Sequence, residues 1–301
     1  MNRFWEAVKA KVLFRKVGLS HGNDADGIAC AALFLRRYPK GKVLLAEPWE
    51  IKPTWSCWFN WIAWDFVADL PCPFRVKLHV DHHRTGRPCA KREFFDPEAP
   101  SAASLAIKAL ELEDDPVARR LVELANECDT ASIRSQEAWD LNDAVKGGGL
   151  EDRVKLAYML ATRGLEALKD KEARRWVEVN RRRRLRAQAL LDKVSIEDYL
   201  FIKLNEADER FPVRTFMISL EERGAKLTCV ITPRGRRYKI HLGSRHDSGI
   251  DCAELAYKLG GGGHRYAAGA TVDNLEEALR RIKEALGLSE VKLIELEAPR
   301  G

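Results

Sequence analysis

The turn at residues 20–27, Ser-His-Gly-Asn-Asp-Ala-Asp-Gly, gathers side chains that can bind a metal ion. The apolar run 17–19 precedes it and the apolar, Ala-rich segment 28–35 follows it, which predicts a strand, a tight turn and a helix. Two carboxylates and an imidazole in one turn are ligands suited to Mn²⁺, Mg²⁺ or Zn²⁺. The alternative is an Asx-rich turn in which an Asp caps the helix. The three candidate ligands are His21, Asp24 and Asp26.

The triplet Asp81-His82-His83 is a second candidate, because it directly follows the apolar run 76–80. Consecutive side chains after a strand point to opposite sides, so one histidine would bind a metal ion while the other faces a substrate. The alternative is a polar surface loop.

A further acid belongs to the predicted strand 61–66. Asp65 ends the apolar run of that strand, whereas Asp69 lies four residues further on and precedes Leu70-Pro71, a sequence typical of a turn. We therefore expect Asp65, rather than Asp69, to reach the metal site.

Strands alternate with helices over the first half of the chain, which predicts a mostly parallel α/β sheet flanked by helices. Ligands of such sheets bind at the carboxyl ends of strands, where the candidate acids and histidines fall. The predicted strands are 17–21, 42–46, 61–66 and 76–80, and the predicted helices are 2–12, 28–38, 101–112, 116–128, 136–145 and 151–168.

A charged helix over 170–194 is predicted to connect this unit to a second, smaller α/β unit. The second unit would end near 287, with a peripheral tail from 288. Its predicted elements are strands at 199–204, 213–219, 226–231 and 237–242, a helix at 251–259, and a closing strand and helix within 268–286.

The glycine run 260–263 is followed at once by His264 and then by Ala267-Ala268-Gly269. Consecutive glycines leave their backbone N–H groups unobstructed, so an anion such as a phosphate can approach them. The alternative is a flexible loop between a helix and a strand.

Composition narrows the classes of protein. The chain has 301 residues, enough for two domains, and its net charge of +6 favours an anionic partner. Its seven cysteines are scattered without a CxxC pair, so we expect neither a zinc ribbon nor a disulfide framework, and we predict a reducing, cytoplasmic location. Residues 1–16 lack the pattern of a signal peptide, and no apolar run reaches membrane-spanning length.

Together these motifs resemble the DHH phosphoesterase superfamily. Residues 260–269 also resemble the signature of its DHHA1 subfamily, which includes RecJ exonucleases, nanoRNases/pAp phosphatases and cyclic-dinucleotide phosphodiesterases. The resemblance runs from about residue 16 to 287. Four N-terminal motifs carry it: His21-x-x-Asp24-x-Asp26-Gly27, the strand-end Asp65, Asp81-His82-His83, and Asp129 in Cys128-Asp129-Thr130.

The resemblance implies a DHH catalytic domain at 1–169, a connector helix at 170–195 and a DHHA1 substrate-binding domain at 196–301. It also implies two divalent ions, usually Mn²⁺, with Mg²⁺ as the alternative. The first ion would be held by His21, Asp24 and Asp65. The second ion would be held by Asp26, Asp65, His82 and Asp129, so that Asp65 bridges the two.

The same resemblance assigns roles around the ions. Asp81 would fix the loop and a histidine ring, and His83 would face the scissile phosphate. Hydrolysis would use a metal-bound water, so no protein nucleophile is needed. In the C-terminal domain, the substrate phosphate or terminal nucleotide would be held by Arg245, Gly262, Gly263 and His264.

Three functions follow from the resemblance. The leading hypothesis is a Mn²⁺-dependent exonuclease on single-stranded DNA, RNA or short oligonucleotides, because one domain would cut while the other holds the strand end. The second is a phosphatase or phosphodiesterase for a small nucleotide, such as pAp or a cyclic dinucleotide. The third is a non-catalytic replication or repair scaffold, which lost metal ligands would indicate. No membrane partner is expected, and a homo-oligomer is left open.

Two further features stay open. The Trp-rich segment 49–64 could stack on bases, but we favour packing, because Trp61 and Trp64 lie on a predicted buried strand. The basic run 181–184 could follow phosphates or could form the exposed face of a helix.

Overall fold

The computed structural model describes residues 2–83, 88–130, 132–205 and 211–297. The chain divides into two compact units, residues 1–180 and 181–301. The division falls within the long helix Lys171–Leu191, inside the segment predicted to connect the domains. The predicted domain limits at 169 and 195 remain predictions.

The first unit is built on a parallel sheet. Its strand order is β2-β1-β3-β4-β5, and each pairing between neighbours is parallel. The strands are β1 (Val17–His21), β2 (Lys42–Ala46), β3 (Phe66–Ala68), β4 (Leu78–Asp81) and β5 (Arg92–Phe95).

Helices surround this sheet. The α-helices are α1 (Arg3–Val12), α2 (Ala25–Arg37), α3 (Ala102–Ala109), α4 (Pro116–Asp129), α5 (Gln136–Gly147), α6 (Leu150–Arg163) and α7 (Lys171–Leu191), the last continuing into the second unit. Short 3-10 helices lie at Pro48–Glu50, Trp58–Trp61 and Gly164–Lys169.

Alternate strand residues face two hydrophobic cores, because side chains alternate across a strand. Val43 and Leu45 of β2 pack in the core formed with helices α2 to α6. Leu44 and Ala46 pack in the core formed with α1 and the aromatic side chains around Trp64. Helix α2 is buried throughout residues 25–35, which accounts for its apolar, Ala-rich sequence.

The tryptophans divide between packing and exposure. Trp64 is fully buried and donates its indole N–H to the carbonyl oxygen of Phe59 at 2.7 Å. Trp49, Trp55 and Trp61 expose half or more of their surface. The packing interpretation therefore holds for Trp64, whereas Trp61, expected on a buried strand, lies instead in an exposed helical turn.

The second unit contains a mixed sheet with the order β11-β6-β7-β8-β10-β9. Strand β6 pairs in parallel with both β11 and β7, and the remaining pairings are antiparallel. The strands are β6 (Tyr199–Asn205), β7 (Leu227–Arg234), β8 (Arg237–Ser244), β9 (Gly262–His264), β10 (Ala267–Val272) and β11 (Leu293–Glu297). The helices are α8 (Val213–Glu222), α9 (Cys252–Lys258) and α10 (Leu275–Leu286).

The α/β fold class is confirmed, with three local corrections. The predicted strand 213–219 is helix α8, because its buried residues, Phe216, Met217 and Leu220, recur at helical rather than alternating spacing. Strand β5 was not predicted. Strand β11 lies in the tail expected to be peripheral, where it pairs with β6 at the sheet edge.

One disulfide departs from the expectation that the scattered cysteines form no disulfide framework. Cys72 and Cys89 form a disulfide across a separation of 17 residues, with their Cα atoms 6.2 Å apart. Neither residue belongs to a CxxC motif, so only the folding of the intervening strand brings them together. Within the described residues, every helix is too short or too polar to cross a bilayer.

Candidate metal centre

The carboxyl ends of three neighbouring strands converge on one site. His21 ends β1, Asp81 ends β4, and Asp69 directly follows β3, which lies between them in the sheet. The chain passes from β1 to β2 on one side of β1, whereas the next strand, β3, lies on the other side of β1. The strand order therefore reverses at β1. Ligands of open α/β sheets bind in the crevice at such a position.

The first cluster of candidate ligands is His21, Asp24 and Asp69. Nδ1 of His21 lies 2.7 Å from Oδ2 of Asp24 and 3.1 Å from Oδ2 of Asp69. Oδ1 of Asp24 accepts the backbone N–H of Gly27 at 2.9 Å and so caps α2. Asp24 therefore combines the two interpretations that the sequence left open, since one oxygen caps the helix while the other faces the cluster.

Gly27 is required by the close approach of α2 to β1. A Cβ atom at this position would lie 2.2 Å from the carbonyl oxygen of His21. The glycine therefore lets the helix begin directly against the end of the strand.

The second cluster is Asp26, His82 and Asp129. Nε2 of His82 lies 3.5 Å from Oδ2 of Asp129 and 3.9 Å from Oδ2 of Asp26. Nδ1 of His82 lies 3.1 Å from the carbonyl oxygen of Ala99, which can only accept a hydrogen bond. Nδ1 therefore carries a hydrogen, and Nε2 is the ring nitrogen that faces the carboxylates.

Asp69 lies between the two clusters. Its Oδ2 contacts His21, while its Oδ1 lies 3.8 Å from Nε2 of His82 and 3.5 Å from Nδ1 of His83. Asp69 is 2 % exposed and also belongs to a third candidate group, with His82 and His83. Its two oxygens thus face different clusters, as a bridging carboxylate requires.

Asp81 fixes the loop that follows β4. Its Oδ1 accepts the backbone N–H groups of His82 at 2.9 Å and of His83 at 3.2 Å, and the ring Nδ1–H of His83 at 2.8 Å. These bonds fix the backbone at both histidines and the direction of the His83 ring.

Asp26 is held by the start of α3. Its two oxygens accept the backbone N–H groups of Ala102 at 2.7 Å and Ala103 at 2.8 Å. The partial positive charge of a helix N-terminus favours a carboxylate in this position. Asp26 is therefore oriented by the protein without using a cationic side chain.

Carboxylates crowd the site, and the pKa values of three of them are raised, whereas His21 holds the pKa of Asp24 below its usual range despite burial. Burial raises the pKa of Asp26, and the negative charges of Asp69 and Asp129 raise it further. Burial, together with Asp69 and Asp24, raises the pKa of Asp129 to about 8. The pKa of Asp69 is raised by burial and by Asp24. Negative charge here is therefore unfavourable without added positive charge.

Histidines carry part of the compensating charge. Burial alone would lower the pKa of His21, but the charge of Asp24 and hydrogen bonds to Asp24, Asp69 and Glu47 raise it well above its usual value. His83 behaves likewise, since its bond to Asp81 and the nearby carboxylates raise its pKa to about 9 despite burial.

The donor set fits divalent cations. Carboxylate oxygens and imidazole nitrogens are the ligands that Mn²⁺ uses, and Mg²⁺ accepts the carboxylates. Two cations would replace the repulsion among the buried carboxylates by attraction. The residues that could hold them are His21, Asp24, Asp26, Asp69, His82 and Asp129.

Asp65 lies at the opposite edge of the sheet, so its predicted place in the metal cluster is corrected. Phe66 pairs with Gly18, which sets Asp65 beside the start of β1, where it accepts the backbone N–H of Val17 at 3.0 Å. Three lysines surround its carboxylate: Lys11, Lys16 and Lys77. The apolar run in the sequence ends at Asp65, but the paired strand only begins after it.

Asp69 precedes Leu70-Pro71, and it does lie at a turn as its sequence context predicts. Its φ of 55° is in the left-handed region, which Asp tolerates better than most residues. Strain of this kind occurs at functional sites, where the surrounding structure holds it in place. A turn acid next to a strand end is therefore compatible with a metal site.

Three residues that no sequence motif marks also support the first cluster. Oε2 of Glu47, directly after β2, lies 3.3 Å from Nε2 of His21. The half-buried Lys146 donates to the carbonyl oxygen of Asn23, and Nη1 of Arg153 donates to that of Gly22 at 3.1 Å. These two cationic side chains stabilise the turn at residues 22–23 by hydrogen bonds to its carbonyl oxygens. Neither of them belongs to a recognisable motif.

The second unit contains a cavity of about 360 Å³ beside the glycine run. Gly263 has a φ of 142°, a conformation that favours glycine, and a Cβ there would lie 2.5 Å from Cα of Ala268. The lining residues are Arg214, Met217, Lys239, His241, Leu242, Gly262, Gly263, Ala267, Ala268 and Gly269.

The predicted substrate-binding residues divide around this cavity. Gly262 and Gly263 line it, and the exposed His264 follows them at the end of β9. Arg245 instead pairs with Asp247, with two contacts of 2.7 Å, and donates to the carbonyl oxygen of Gly224. Two cations absent from the prediction, Arg214 and Lys239, line the cavity.

Residues 208–288 match the DHHA1 domain family. Among curated proteins, no sequence match is found. The DHHA1 match covers the glycine run and the cavity in the second unit.

Solved structures resemble the whole chain. A pGpG-specific phosphodiesterase, PggH from Vibrio cholerae, superimposes with a TM-score of 0.65 at 18% identity, covering 90% of this chain and 97% of that one. RecJ from Thermus thermophilus, in complex with Mn²⁺, gives 0.64 at 14% identity, covering 98% of this chain and 55% of RecJ. An exopolyphosphatase-related protein from Bacteroides fragilis gives 0.53 at 16% identity, covering 94% and 96%. The resemblance to DHH phosphoesterases is thus confirmed in fold and in the C-terminal domain.

Replacing Asp69 is expected to weaken metal binding, whereas replacing Asp65 is not. Loss of residues that merely orient metal ligands lowers affinity about 10–100-fold, so Asp69→Asn should cost at least that. Mn²⁺ titration by calorimetry measures both variants, with Asp65→Asn as the matched control. Equal losses in the two variants, or an unchanged Asp69→Asn, would contradict the assignment of Asp69.

Asp65 is instead expected to affect acid stability. Burial alone would raise its pKa, but hydrogen bonds from Lys11, the amide of Val17 and Lys77 lower it to about 2. A carboxylate with a folded pKa below its unfolded value of about 3.9 stabilises the fold above that pH, and this contribution is lost as pH falls towards 2.

The free energy of unfolding of Asp65→Asn should therefore lie below that of the wild type at pH 6, with the gap narrowing as pH falls from about 5 to 2. Urea unfolding at several pH values measures this gap. A gap that is constant over that range would show that the ionised carboxylate is not responsible.

Proposed function

Because this chain has the DHH phosphoesterase fold and carries a DHHA1 domain, we propose that it is a divalent-metal-dependent phosphodiesterase that hydrolyses nucleotide substrates. The observation that carries the proposal is the meeting of seven ionisable side chains at one edge of the parallel sheet. They come from segments that are far apart in the chain: His21, Asp24, Asp26, Asp69, His82, His83 and Asp129.

The residues would hold two ions. His21 and Asp24 would bind one, Asp26, His82 and Asp129 the other, and Asp69 would bridge them through its two oxygens. When bound, such ions activate water and stabilise the charge of a phosphodiester under attack. RecJ structures in complex with Mn²⁺ and with Mg²⁺ both resemble this chain, which supports a divalent metal of this kind here.

His83 would contact the substrate phosphate. Its Nδ1–H is donated to Asp81, so the orientation of the ring is fixed beside the two clusters. Asp81 belongs to neither candidate cluster and acts through His82 and His83, which it holds by hydrogen bonds. His83 is thus proposed as a catalytic residue and Asp81 as a positioning residue.

The second unit would bind the substrate's phosphates. Its cavity presents the main chain of Gly262 and Gly263 together with the side chains of Arg214 and Lys239. Backbone N–H groups next to cations suit an anionic phosphate. Arg214 also donates to Glu221 at 2.9 Å, so its guanidinium is held in place.

Two substrate classes are supported by different observations. An exonuclease acting on single-stranded DNA, RNA or short oligonucleotides is favoured by the net charge of +6 and by the likeness to RecJ. A dinucleotide phosphodiesterase is favoured by the likeness to PggH, because the two chains cover 90% and 97% of each other, whereas only 55% of RecJ is covered. A non-catalytic scaffold is disfavoured, because a complete set of candidate ligands is present.

Metal-dependent cleavage of phosphodiester bonds is the first expected outcome. Purified protein with Mn²⁺ should release mononucleotides from end-labelled oligonucleotides, and chelation should abolish the release. Asp69→Asn should lower kcat at least about 100-fold, whereas Asp65→Asn should retain activity at a pH where it is folded.

A side-by-side comparison of a linear dinucleotide with a twenty-nucleotide single strand separates the two substrate classes by kcat/KM. Absence of hydrolysis of both, in folded protein with bound Mn²⁺, would refute the proposed activity.

Lys239 is expected to affect substrate binding more than the chemical step. Replacing Lys239 by Gln removes one cation from the cavity, and a lost charged hydrogen bond of about 1.5–3 kcal/mol would raise KM roughly 10-fold or more with little change in kcat. Steady-state kinetics measure the two constants separately. The matched control is Lys226→Gln, since Lys226 is paired with Asp198 and lies outside the cavity lining. Equal effects of both replacements would contradict a role for the cavity.

A further inference from the structure

A second cluster of metal-binding side chains lies in the first unit, apart from the candidate metal centre. The sulfur atoms of Cys72 and Cys89 and one ring nitrogen of His79 all lie within 4.8 Å of one another. Cys72 belongs to the loop after β3, His79 to β4, and Cys89 to the segment before β5. Three separate segments thus supply two sulfurs and an imidazole to one point.

The hydrogen bonds of His79 resemble those of a metal ligand. The ring is fully buried, and its Nε2 lies 3.0 Å from the carbonyl oxygen of Leu70. A carbonyl only accepts a hydrogen bond, so Nε2 carries a hydrogen, and Nδ1 is the ring nitrogen that could bind a metal ion. A ligating histidine commonly donates its other N–H to a carbonyl in this way.

A fourth donor stands beside the ring. Oε1 of Glu93 lies 2.5 Å from Nδ1 of His79, and its Oε2 accepts the backbone N–H groups of Cys89 and Ala90 at 3.1 Å each. At 2.5 Å the carboxylate and the ring share a proton, and a metal ion would take the place of that proton once the two groups move apart. Glu93 lies beside His79 but outside the group of three whose ligand atoms meet within 4.8 Å, so it would turn towards the sulfurs to become a fourth ligand.

We propose that, when Cys72 and Cys89 are reduced, they bind one Zn²⁺ together with His79 and Glu93. In the structure the two sulfurs are bonded to each other. A dithiol reductant would supply two electrons and two protons to give two thiols, and binding of Zn²⁺ would then release both thiol protons to solvent. Two thiolates, an imidazole and a carboxylate form a tetrahedral set typical of zinc.

The ion would link the loop after β3 and the segment before β5 to β4, the strand that ends at Asp81. Strand β4 carries His79 and leads directly into Asp81, while Glu93 pairs with His79 across the parallel sheet. The oxidised pair and the bound zinc are alternative crosslinks of the same loops. This site is independent of the proposed phosphodiesterase activity, because it shares no residue with the candidate metal centre.

Cobalt spectroscopy tests the proposal, because Co²⁺ bound to thiolates gives a sulfur-to-metal charge-transfer band that nitrogen and oxygen ligands do not give. Protein kept reduced, with seven titratable thiols rather than five after denaturation, should show this band, saturating at one Co²⁺ per chain. Zn²⁺ should displace the cobalt and remove the band. Cobalt at the candidate metal centre would not contribute, since its ligands there are oxygens and nitrogens.

Variants then assign the ligands. Cys72→Ser and Cys89→Ser should each abolish or greatly weaken the band, and His79→Gln should lower the affinity for Co²⁺ about 10-fold or more. Cys57→Ser is the matched control, because Cys57 is also partly buried but donates to the carbonyl oxygen of Glu50, and its band should be unchanged. Circular dichroism verifies that each variant is folded.

A measurement on the unmodified chain guards against unfolded variants. Zn²⁺ should slow alkylation of Cys72 and Cys89, but not of Cys57, when the modified peptides are quantified by mass spectrometry. Absence of the band from the folded, fully reduced wild type, its survival in Cys72→Ser, or equal alkylation with and without Zn²⁺ would overturn the proposal.

Discussion

Repulsion among buried carboxylates is the constraint on which the first unit depends. Four aspartates converge where the parallel strands end, and burial raises the pKa of three of them, since each ionised neighbour makes the next harder to ionise. The protein offsets part of this cost with histidines, with the amides at the start of α3 and with the half-buried Lys146. Divalent cations would offset the rest of this electrostatic cost. The geometry that makes the metal-free site unfavourable is therefore the geometry that would bind metal.

The sheet places charge in opposite ways at its two edges. At the carboxyl edge, acids gather with histidines around a crevice. At the amino edge, Asp65 is surrounded by three lysines, and ionisation there is favoured. Both arrangements follow from parallel pairing, because equivalent ends of neighbouring strands meet at the same edge. Asp65 and Asp69 lie only four residues apart in sequence, yet the three residues of β3 carry them to opposite edges with opposite electrostatics.

Backbone positions matter as much as ligands. Gly27 lets α2 start against β1, and Asp69 occupies a left-handed conformation that directs its carboxylate between two clusters. Asp81 belongs to neither candidate cluster but holds both histidines that follow it by hydrogen bonds. In the second unit, glycines likewise line the cavity where a phosphate would need to approach the main chain. Each unit thus carries one element of the proposed activity.

The sequence by itself determined the α/β class, most helices and strands, and the motif residues His21, Asp24, Asp26, Asp81, His82, His83 and Asp129, because local periodicity and residue type are properties of short segments. Only the tertiary structure decided between Asp65 and Asp69, since strand register depends on pairing with β1 rather than on where an apolar run stops. Only the tertiary structure also revealed the contact of Glu47 with His21, the contacts of Lys146 and Arg153 with the turn at residues 22–23, and the pairing of Cys72 with Cys89. These residues belong to no motif, and only packing of distant segments brings them to their partners.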